Sequence, residues 1–514
     1  MIAVRREKRL YIGATALLLA VTFFFVCFDS GEDRRRYHQH LEQPNETELG
    51  TPPVSDGLVT HLPIIEIDTS KDGEYQKIPG KAILDAEMNT VIGVETGENG
   101  ETDIEAKLRT IETEGEWHDS EGEADLESSI LIHIRGNSSR AFDKSNYRIK
   151  LTEDGNPLEN RKLPLLGMNE SADWVLHGPF LDKTLIRNYM WMNLSAEIMG
   201  YAPNVRFCEL ILDGTYMGVY VLMETIEVDE KRVDITEYRE GDPVMSYMIH
   251  IEPKAELARS IETFSFYTKR MEPERQIEIS YPGRQFLTQN VKDYIQEDFS
   301  AIENVIYSAE AGSDPNFYVN YLDESSFVDY YIIQEFVGNN DMFQASTYFY
   351  KDVRGKLNIG PVWDYNNVLD NYTTVMPAEG LLLAQNGFYS QLMKSERFVD
   401  RVISRYRQLR KGILSDDNLR AYIWETEAWL GSAVERNFSV WGYTWDWQQI
   451  PMYERRRPDE GSDETYADVN PSSYGEATDN MISYMIRRGA WLDEHIDSLR
   501  QYCQTSKNAG TVLY

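Results

Sequence analysis

The segment SSILIHIRGNSSRAFDKSNYRIKL, residues 128–151, decides the fold because it holds two strand-like stretches joined by a polar turn. Apolar and polar residues alternate in SSILIHI and again in NYRIKL, a pattern typical of β-strands, and the Gly136-Asn137 pair predicts the turn of a hairpin. Basic residues surround that turn: Arg135, Arg140, Lys144, Arg148 and Lys150. The pattern favours an anion site on the hairpin, and a plain hairpin without a ligand is the alternative.

The composition limits the kinds of partner that the chain can have. Its 514 residues carry 51 Lys and Arg against 85 Asp and Glu, a formal net charge of -34. A nucleic-acid surface needs a basic footprint to neutralise phosphates, so we expect no nucleic-acid partner. Any anion site must therefore be a local basic island. The three cysteines, Cys27, Cys208 and Cys503, have no metal-ligand spacing and do not predict a disulfide-rich fold.

The N-terminal residues predict a membrane anchor. No charged residue occurs from Leu10 to Phe28, and the preceding segment is basic. This pattern predicts a transmembrane signal anchor over residues 10–28, with residues 1–9 cytoplasmic and the rest of the chain outside the membrane. We therefore expect a single-pass protein of the cell membrane whose main domain is extracytoplasmic. A cleaved signal peptide is the alternative.

Strand patterns dominate the first half of the chain after a polar linker over residues 29–60. HLPIIEIDT and KAILDAEM predict strands, and RFCELILDGTYMGVYVLMET predicts two strands around the Asp213-Gly214 turn. LDKTLIRNYMWMNLSAEIMG predicts a helix that ends at Gly200. The acidic stretch from Glu95 to Glu127 predicts an exposed insertion that is dispensable for folding.

The second half reads as mainly helical from about Gln285 to Cys503. The whole pattern predicts an α+β protein with a β-rich N-lobe over residues 61–284, a helical C-lobe over 285–505 and a short tail over 506–514.

Two carboxylates flank a predicted hairpin in QEFVGNNDMFQASTYFYKDVRGKLNIGPVWDYNNVLDNY, residues 334–372. Asp341 precedes STYFY, a KDVRG turn leads to KLNI, and Asp364 follows. Side chains at the open end of one hairpin can converge, and phosphoryl transfer uses one carboxylate at the attacking hydroxyl and another at Mg²⁺. The alternative is that both residues only cap turns.

The order of these parts is that of a protein kinase: a Gly-Ser turn with basic side chains, a helix, and then two acidic residues. The strand VYVLMET would lead to the hinge, with Glu224 at its end. The sequence therefore predicts a two-lobed, protein-kinase-like fold.

Five stretches also resemble successive motifs of the spore-coat protein H (CotH) kinase family, and the resemblance runs from about His61 to Leu499. The stretches are RGNSSRAFDKSNYRIKL, LLGMNESADWVLHGPFLDKTLIRNYM, ELILDGTYMGVYVLMETIEVDEKRV, FVGNNDMFQASTYFYKD and GPVWDYNNVLDNY. The resemblance implies an atypical kinase-like fold that uses ATP and Mg²⁺ to phosphorylate Ser or Thr of secreted or spore-coat proteins.

The resemblance also implies the roles of individual residues. Asp341 resembles the catalytic Asp, Asp364 resembles the metal-binding Asp, and either Lys150 or Lys144 would be the phosphate-binding lysine, with Lys150 preferred as catalytic. The remaining nucleotide-binding candidates are Arg135, Asn137, Ser138, Ser139, Arg140 and Glu224, and the remaining metal candidates are Asn366 and Ser346.

Two positions depart from the kinase pattern. Ser346 stands where a catalytic loop has an asparagine, with Gln344 as a possible substitute, and Asn366 stands where an acidic residue is expected. These departures support a rival hypothesis, a pseudokinase that acts as a structural scaffold of a cell envelope or spore coat. A third hypothesis, glycan binding or processing, draws on the 10 Trp and 32 Tyr, including the WDWQQ segment.

Overall fold

The hairpin at residues 128–151 belongs to a sheet that closes on itself. We analyse a computed structural model, which describes residues 36–85, 91–97, 100–154, 156–253, 255–271, 274–308, 316–371, 376–450 and 470–504. The described residues from His38 onward form a single compact unit.

The strands are numbered in chain order. They are β1 (Val59–Thr60), β2 (Ile64–Asp68), β3 (Ser70–Lys71), β4 (Glu74–Tyr75), β5 (Ala82–Leu84), β6 (Val91–Val94), β7 (Ile104–Ile111), β8 (His118–Asp119), β9 (Leu126–Ile134), β10 (Tyr147–Glu153), β11 (Asn156–Asn160), β12 (Asp173–His177), β13 (Val205–Leu212), β14 (Thr215–Glu224), β15 (Tyr247–Glu252), β16 (Ser260–Ile261), β17 (Gln276–Tyr281), β18 (Thr347–Lys351) and β19 (Leu357–Ile359).

The α-helices are numbered in the same way. They are α1 (Gln39–Glu42), α2 (Glu46–Leu49), α3 (Arg187–Met199), α4 (Phe264–Tyr267), α5 (Gln289–Tyr307), α6 (Glu324–Val337), α7 (Tyr389–Leu392), α8 (Glu396–Leu409), α9 (Asp416–Leu430), α10 (Ser432–Trp441) and α11 (Tyr474–His495). Short 3-10 helices lie at Ser138–Ala141, Arg284–Phe286, Phe317–Asn320, Gly442–Trp445, Trp447–Gln449 and Ile496–Cys503.

Seven of these strands form the closed sheet, in the order β9-β10-β12-β14-β13-β2-β7 and back to β9. The β13 and β2 pair is parallel, and the other neighbours are antiparallel. Side chains alternate between the two faces of a strand, so every second apolar residue points inside the closed sheet. The interior contains Ile65, Ile67, Ile130, Ile132, Ile134, Tyr147, Ile149, Leu151, Trp174 and Leu176 among others.

A second sheet has the order β16-β17-β15-β18-β19. One of its faces, with Ile249, Ile251 and Phe349, is part of the largest hydrophobic core. The opposite face is polar at one end, where His250 pairs with Glu278 on one side and with Tyr348 on the other, and apolar at the other end, where Met248 packs against Val233 and Ile235. This second sheet therefore has one face in the main core, and on the other face the end that carries His250 and Glu252 is polar.

The largest core is continuous from the closed sheet to the C-terminal helices. It contains Phe207 and Val221 from the outer face of the closed sheet, Trp191 from α3, and Phe336 from α6. Helix α3 ends at Met199 because Gly200 takes a left-handed conformation with φ of 85°. The predicted helix and its end at Gly200 are thus confirmed, as are the β9-β10, β13-β14 and β18-β19 hairpins.

The predicted two-lobed protein-kinase-like fold, with a β-rich N-lobe and a helical C-lobe, is wrong. The first half forms a closed sheet, and β15 and β17 pair with each other and, through β15, with β18 of the later part of the chain. Strands from both sides of residue 285 therefore share one sheet and one core. The architecture is mixed α and β rather than two lobes of different class.

The acidic stretch from Glu95 to Glu127 is also not an exposed insertion. It contains β7, which pairs with β2 and β9 and completes the closed sheet. Ile104, Ala106 and Leu108 point inside, while Glu105 and Lys107 are exposed. The charges lie on the outer face, as the alternation of side chains in a strand requires.

The predicted membrane anchor is not supported. Across the described ranges, no helix combines the length and the apolar character that a membrane span needs. The segment Leu10–Phe28 itself lies outside the described residues. The predicted single-pass localisation in the cell membrane is therefore withdrawn.

Candidate functional site

Asp341 lies in a tight turn between α6 and β18. Helix α6 ends at Val337, and Gly338 has a left-handed φ of 62° that turns the chain away. The side-chain oxygen of Asn339 accepts a hydrogen bond of 3.0 Å from the Asp341 amide. The Asp341 carbonyl in turn accepts hydrogen bonds from the amides of Gln344 and Ala345, at 2.8 and 2.9 Å. The backbone of Asp341 is therefore held on both sides.

Asp364 follows β19 and has a left-handed φ of 67°, which is uncommon for a residue with a side chain. The next residue fixes this conformation. The Tyr365 amide donates a hydrogen bond to Oδ1 of Asn188 in α3 at 2.8 Å. The Tyr365 hydroxyl accepts a hydrogen bond from Nε2 of Gln334 in α6 at 3.2 Å. Tyr365 is fully buried. Two helices thus position the loop that carries Asp364.

The two carboxylates lie close enough to affect each other. Burial and the neighbouring charge of Asp341 raise the pKa of Asp364 to about 6, and Arg135 opposes the rise. Burial also raises the pKa of Asp341, against the effect of Arg275. Neighbouring carboxylates with raised pKa values are common at active sites, because both charges must be compensated by a ligand or a proton.

Arg135 connects the N-terminal hairpin with these carboxylates. It follows β9 directly, and its guanidinium carbon lies 5.7 Å from the centroid of the Trp363 ring. Trp363 immediately precedes Asp364, and the charge of Arg135 opposes the rise in the pKa of Asp364, so Arg135 is a cation beside that member of the pair. The structure therefore brings together three of the predicted site residues, Arg135, Asp341 and Asp364.

Sequence reasoning missed Glu252, at the end of β15. Burial and the charges of Asp364 and Glu278 raise the pKa of Glu252 to about 7, and Arg135 opposes this. His250, on the same face, lies with Nε2 3.6 Å from Oε1 of Glu252 and stacks on Tyr348 at 4.8 Å between ring centroids. The alternation of His250 and Glu252 in YMIHIE was a signal that both side chains share one face of a strand.

The turn of the N-terminal hairpin is held by its own residues. Arg140 donates through Nε to the carbonyl of Gly136 at 2.6 Å and through Nη1 to that of Gly80 at 3.0 Å. Gly136 has φ of 115°, and an added Cβ would lie 2.0 Å from Oγ of Ser139. The predicted ligands Ser138 and Ser139 lie in the 3-10 turn, half-buried, and Asn137 is exposed.

Lys144 lies inside the protein, with its ammonium group used in internal hydrogen bonds. Its ammonium group donates to the carbonyl of Val219 and to Oδ1 of Asn437, both at 2.6 Å, and the side chain is 1% exposed. Burial lowers its pKa well below the ordinary value. Lys144 therefore joins β14 to α10.

Lys150 and Glu224 lie elsewhere on the closed sheet. Lys150 is half-buried and alternates with Ile149 and Leu151, which point inside, so it lies on the outer face of β10. Glu224 is fully buried, and its carboxylate accepts four hydrogen bonds from the backbone and side-chain amides of Asn169 and Asn204. Those bonds close the loops at the end of β14.

The predicted metal candidates differ in how much of their hydrogen-bonding capacity is used. Oδ1 of Asn366 is buried without a hydrogen-bond partner, whereas Oε1 of Gln344 accepts from Arg275 at 3.2 Å. Ser346 has a left-handed φ of 49° at the start of β18. Asn366 therefore has an oxygen available for a ligand, two residues after Asp364.

These residues fit a magnesium ion that is held mainly by a nucleotide. Across the described ranges, no group of three His, Cys, Asp or Glu side chains is arranged to hold a metal ion by itself. Mg²⁺ commonly takes only one or two carboxylates and completes its shell with phosphate oxygens and water. Asp364 and the free Oδ1 of Asn366 meet that smaller requirement.

Comparison with known proteins identifies a family. Residues 132–492 match the CotH kinase protein family, and this range includes Arg135, Asp341 and Asp364. No curated protein matches the chain.

Proposed function

The chain belongs to the CotH kinase protein family, and from this premise we propose that it is a phosphotransferase that moves the γ-phosphoryl group of ATP to Ser or Thr of proteins. The observation that carries the proposal is the meeting of Asp341 and Asp364 beside Arg135. As the sequence resemblance implied, we expect the acceptors to be secreted or coat proteins.

The proposed chemistry assigns one task to each group. Asp341 orients the acceptor hydroxyl and takes its proton as the oxygen attacks the γ-phosphorus, and ADP leaves. Asp364 and Oδ1 of Asn366 would hold Mg²⁺, which supplies positive charge to the phosphates when bound. Arg135 neutralises phosphate charge from the other side. The serines of the turn remain predicted phosphate ligands, and Lys150, on the outer face of β10, stays a prediction that the position of the carboxylates does not support.

A structural scaffold is the second candidate function. Asn366 is neutral where an acidic residue is expected, and within the described ranges the metal ligands are few. Such a protein would bind nucleotide weakly or not at all and would transfer nothing.

Two substitutions test the enzyme. Asp364→Asn removes a charged metal ligand, so Mg²⁺-dependent ATP binding and transfer should both fall. Asp341→Asn should leave ATP binding nearly unchanged and lower the transfer rate about a hundredfold or more, because it removes positioning and proton transfer at the hydroxyl. ATP affinity is measured by calorimetry with and without Mg²⁺, and transfer by radiolabel incorporation into the protein itself or Ser/Thr-rich coat peptides.

Asp352→Asn is the matched control, since Asp352 lies at the opposite end of the β18-β19 hairpin and binds the Thr236 amide at 2.9 Å. It should behave as the unmodified protein. Equal ATP binding in all variants, with transfer by none including the unmodified protein, would favour the scaffold. Loss of ATP binding in Asp341→Asn alone would mean that the two roles are reversed.

A further inference from the structure

A partly enclosed cavity of about 230 Å³ lies on the buried side of the second sheet. Its walls come from the core face of that sheet, from α5, and from the loop before α7. Five of the residues that line it are aromatic, and polar side chains share the wall with them. The aromatic residues are Phe299, Tyr307, Phe343, Phe349 and Phe388, and the polar ones include Arg270, Glu303, Gln344, Gln385 and Asn386. A space of this size and lining fits one aromatic side chain.

The cavity is continuous with the turn that carries Asp341. Phe343 and Gln344 both line it, and the Gln344 amide donates to the Asp341 carbonyl at 2.8 Å. A polypeptide whose hydroxyl reaches Asp341 could therefore place a nearby side chain in the cavity, since consecutive residues are about 3.8 Å apart.

The shape of the cavity depends on close packing around Phe343. Gly387 packs directly against the Phe343 ring: it has φ of 49°, and an added Cβ would lie 2.3 Å from that ring. The ring contacts Phe388 at 5.4 Å and Phe349 at 5.7 Å between centroids. Phe343 is thus fixed between the Asp341 turn and the cavity.

Charges at the wall favour an uncharged guest. The guanidinium carbon of Arg270 lies 4.6 Å from the centroid of the Tyr307 ring, so a cation already occupies that aromatic face. Glu303 is 1% exposed, and its Oε2 accepts a hydrogen bond of 3.0 Å from the Ser265 amide. The wall thus carries one group of each sign, so a guest of either charge meets a like charge as well as an opposite one and gains no net electrostatic preference over a neutral guest.

We propose that this cavity binds an aromatic side chain, phenylalanine or tyrosine, of the acceptor polypeptide close to the phosphorylated Ser or Thr. The cavity then determines which acceptor polypeptides the phosphotransferase prefers. That the guest belongs to an acceptor polypeptide rests on the proposed function.

The first experiment measures the binding of small molecules to the cavity in the absence of ATP, so it does not depend on phosphoryl transfer. Binding of p-cresol to the full chain is followed by ligand-observed NMR and calorimetry, and n-butylamine serves as the cationic comparison. We expect p-cresol to bind with a Kd of about 1 mM, as befits a small aromatic fragment, and n-butylamine to bind at least tenfold more weakly.

Met271 offers matched variants because it is half-buried and lines the cavity. Met271→Trp should fill the space and weaken p-cresol binding about tenfold, while Met271→Leu, which nearly conserves volume, should leave it within about threefold. Thermal unfolding shows whether each variant is folded. Tighter binding of n-butylamine than of p-cresol, or equal p-cresol binding in both folded variants, would overturn the proposal.

The second experiment uses serine peptides in which tyrosine is moved through each position flanking the serine. One position should raise kcat/KM about tenfold or more over alanine, chiefly through KM, and Met271→Trp should remove that preference. Transfer without any aromatic preference would refute the specificity site while leaving the phosphotransferase intact. Binding of p-cresol that ATP displaces would assign the cavity to the nucleotide and would also refute it.

Discussion

Lys144 and Lys150 are basic residues of the same hairpin, but burial gives them different environments. Lys144 precedes β10 and is enclosed beneath β14 and α10, where two oxygens accept hydrogen bonds from its ammonium group. Lys150 lies on the outer face of β10. The spacing of basic residues in the sequence predicted an anion site but could not show which side chain another part of the chain would cover.

We expect Lys144→Met to lower the free energy of unfolding by about 1–3 kcal/mol. The substitution leaves the Val219 carbonyl buried without its donor and removes one of the two donors to Asn437 Oδ1, which still accepts from the Val219 amide. We expect this loss to exceed the gain from no longer burying an amine. Urea unfolding measures the effect. Lys150→Met is the control and should change stability by no more than about 0.5 kcal/mol. Equal effects in the two variants would show that Lys144 does not hold β14 to α10.

The carboxylate pair shows what local sequence can predict at this scale. Asp341 and Asp364 were found because they flank one hairpin, and strand pairing brings the ends of a hairpin together. Glu252 lies on β15, far from them in sequence, and reaches the site only because β15 pairs with β18. A contact that depends on pairing between distant strands leaves no signal in either stretch alone.

At the scale of elements, β7 shows how an acidic composition can hide a strand pattern. The segment IEAKLRTI alternates apolar and charged residues, as a strand with one buried face should. The acidic composition of the surrounding stretch obscured this alternation. Without β7, strands β2 and β9 would both have open edges, so the stretch is essential for closure of the sheet.

Leu108→Ala tests the role of β7 directly. Leu108 is 1% exposed inside the closed sheet, and truncation in a buried core costs about 2–5 kcal/mol through lost burial and a residual cavity. The control is Lys107→Ala, which removes an exposed side chain bound to Ser129 and Asp154 and should cost less than about 1 kcal/mol. Both values come from urea unfolding. Equal small losses would restore the interpretation of this stretch as a dispensable insertion.

At the scale of the whole molecule, hairpins and α3 were predictable, whereas the architecture was not. Each hairpin is local in sequence, and α3 ends at a glycine that the sequence displays. Closure of the first sheet needs β9 to pair with both β7 and β10, and the second sheet joins strands from both sides of residue 285. The kinase-like order of motifs suggested two lobes because order along a chain does not specify which strands pair.

The C-terminal helix α11 is joined to the site by a buried ion pair. Arg488 is fully buried, and its guanidinium donates to the Glu335 carboxylate at 2.5 Å and to the backbone carbonyls of Glu335, Ala378 and Gly380. Glu335 also accepts from the amides of Leu382 and Leu383. Since Glu335 is in α6, which leads to Asp341, this pair connects three segments around the candidate site.

Arg488→Met should therefore destabilise the protein by about 3–5 kcal/mol, because it leaves the Glu335 carboxylate buried and unpaired. Arg487→Met, on the exposed face of the same helix, is the matched control and should change stability by about 0.5 kcal/mol or less. A double-mutant cycle with Glu335→Gln, measured by urea unfolding, should give a coupling energy above about 1 kcal/mol. Additive losses would mean that the two side chains act independently, and that α11 is held to α6 by apolar packing alone.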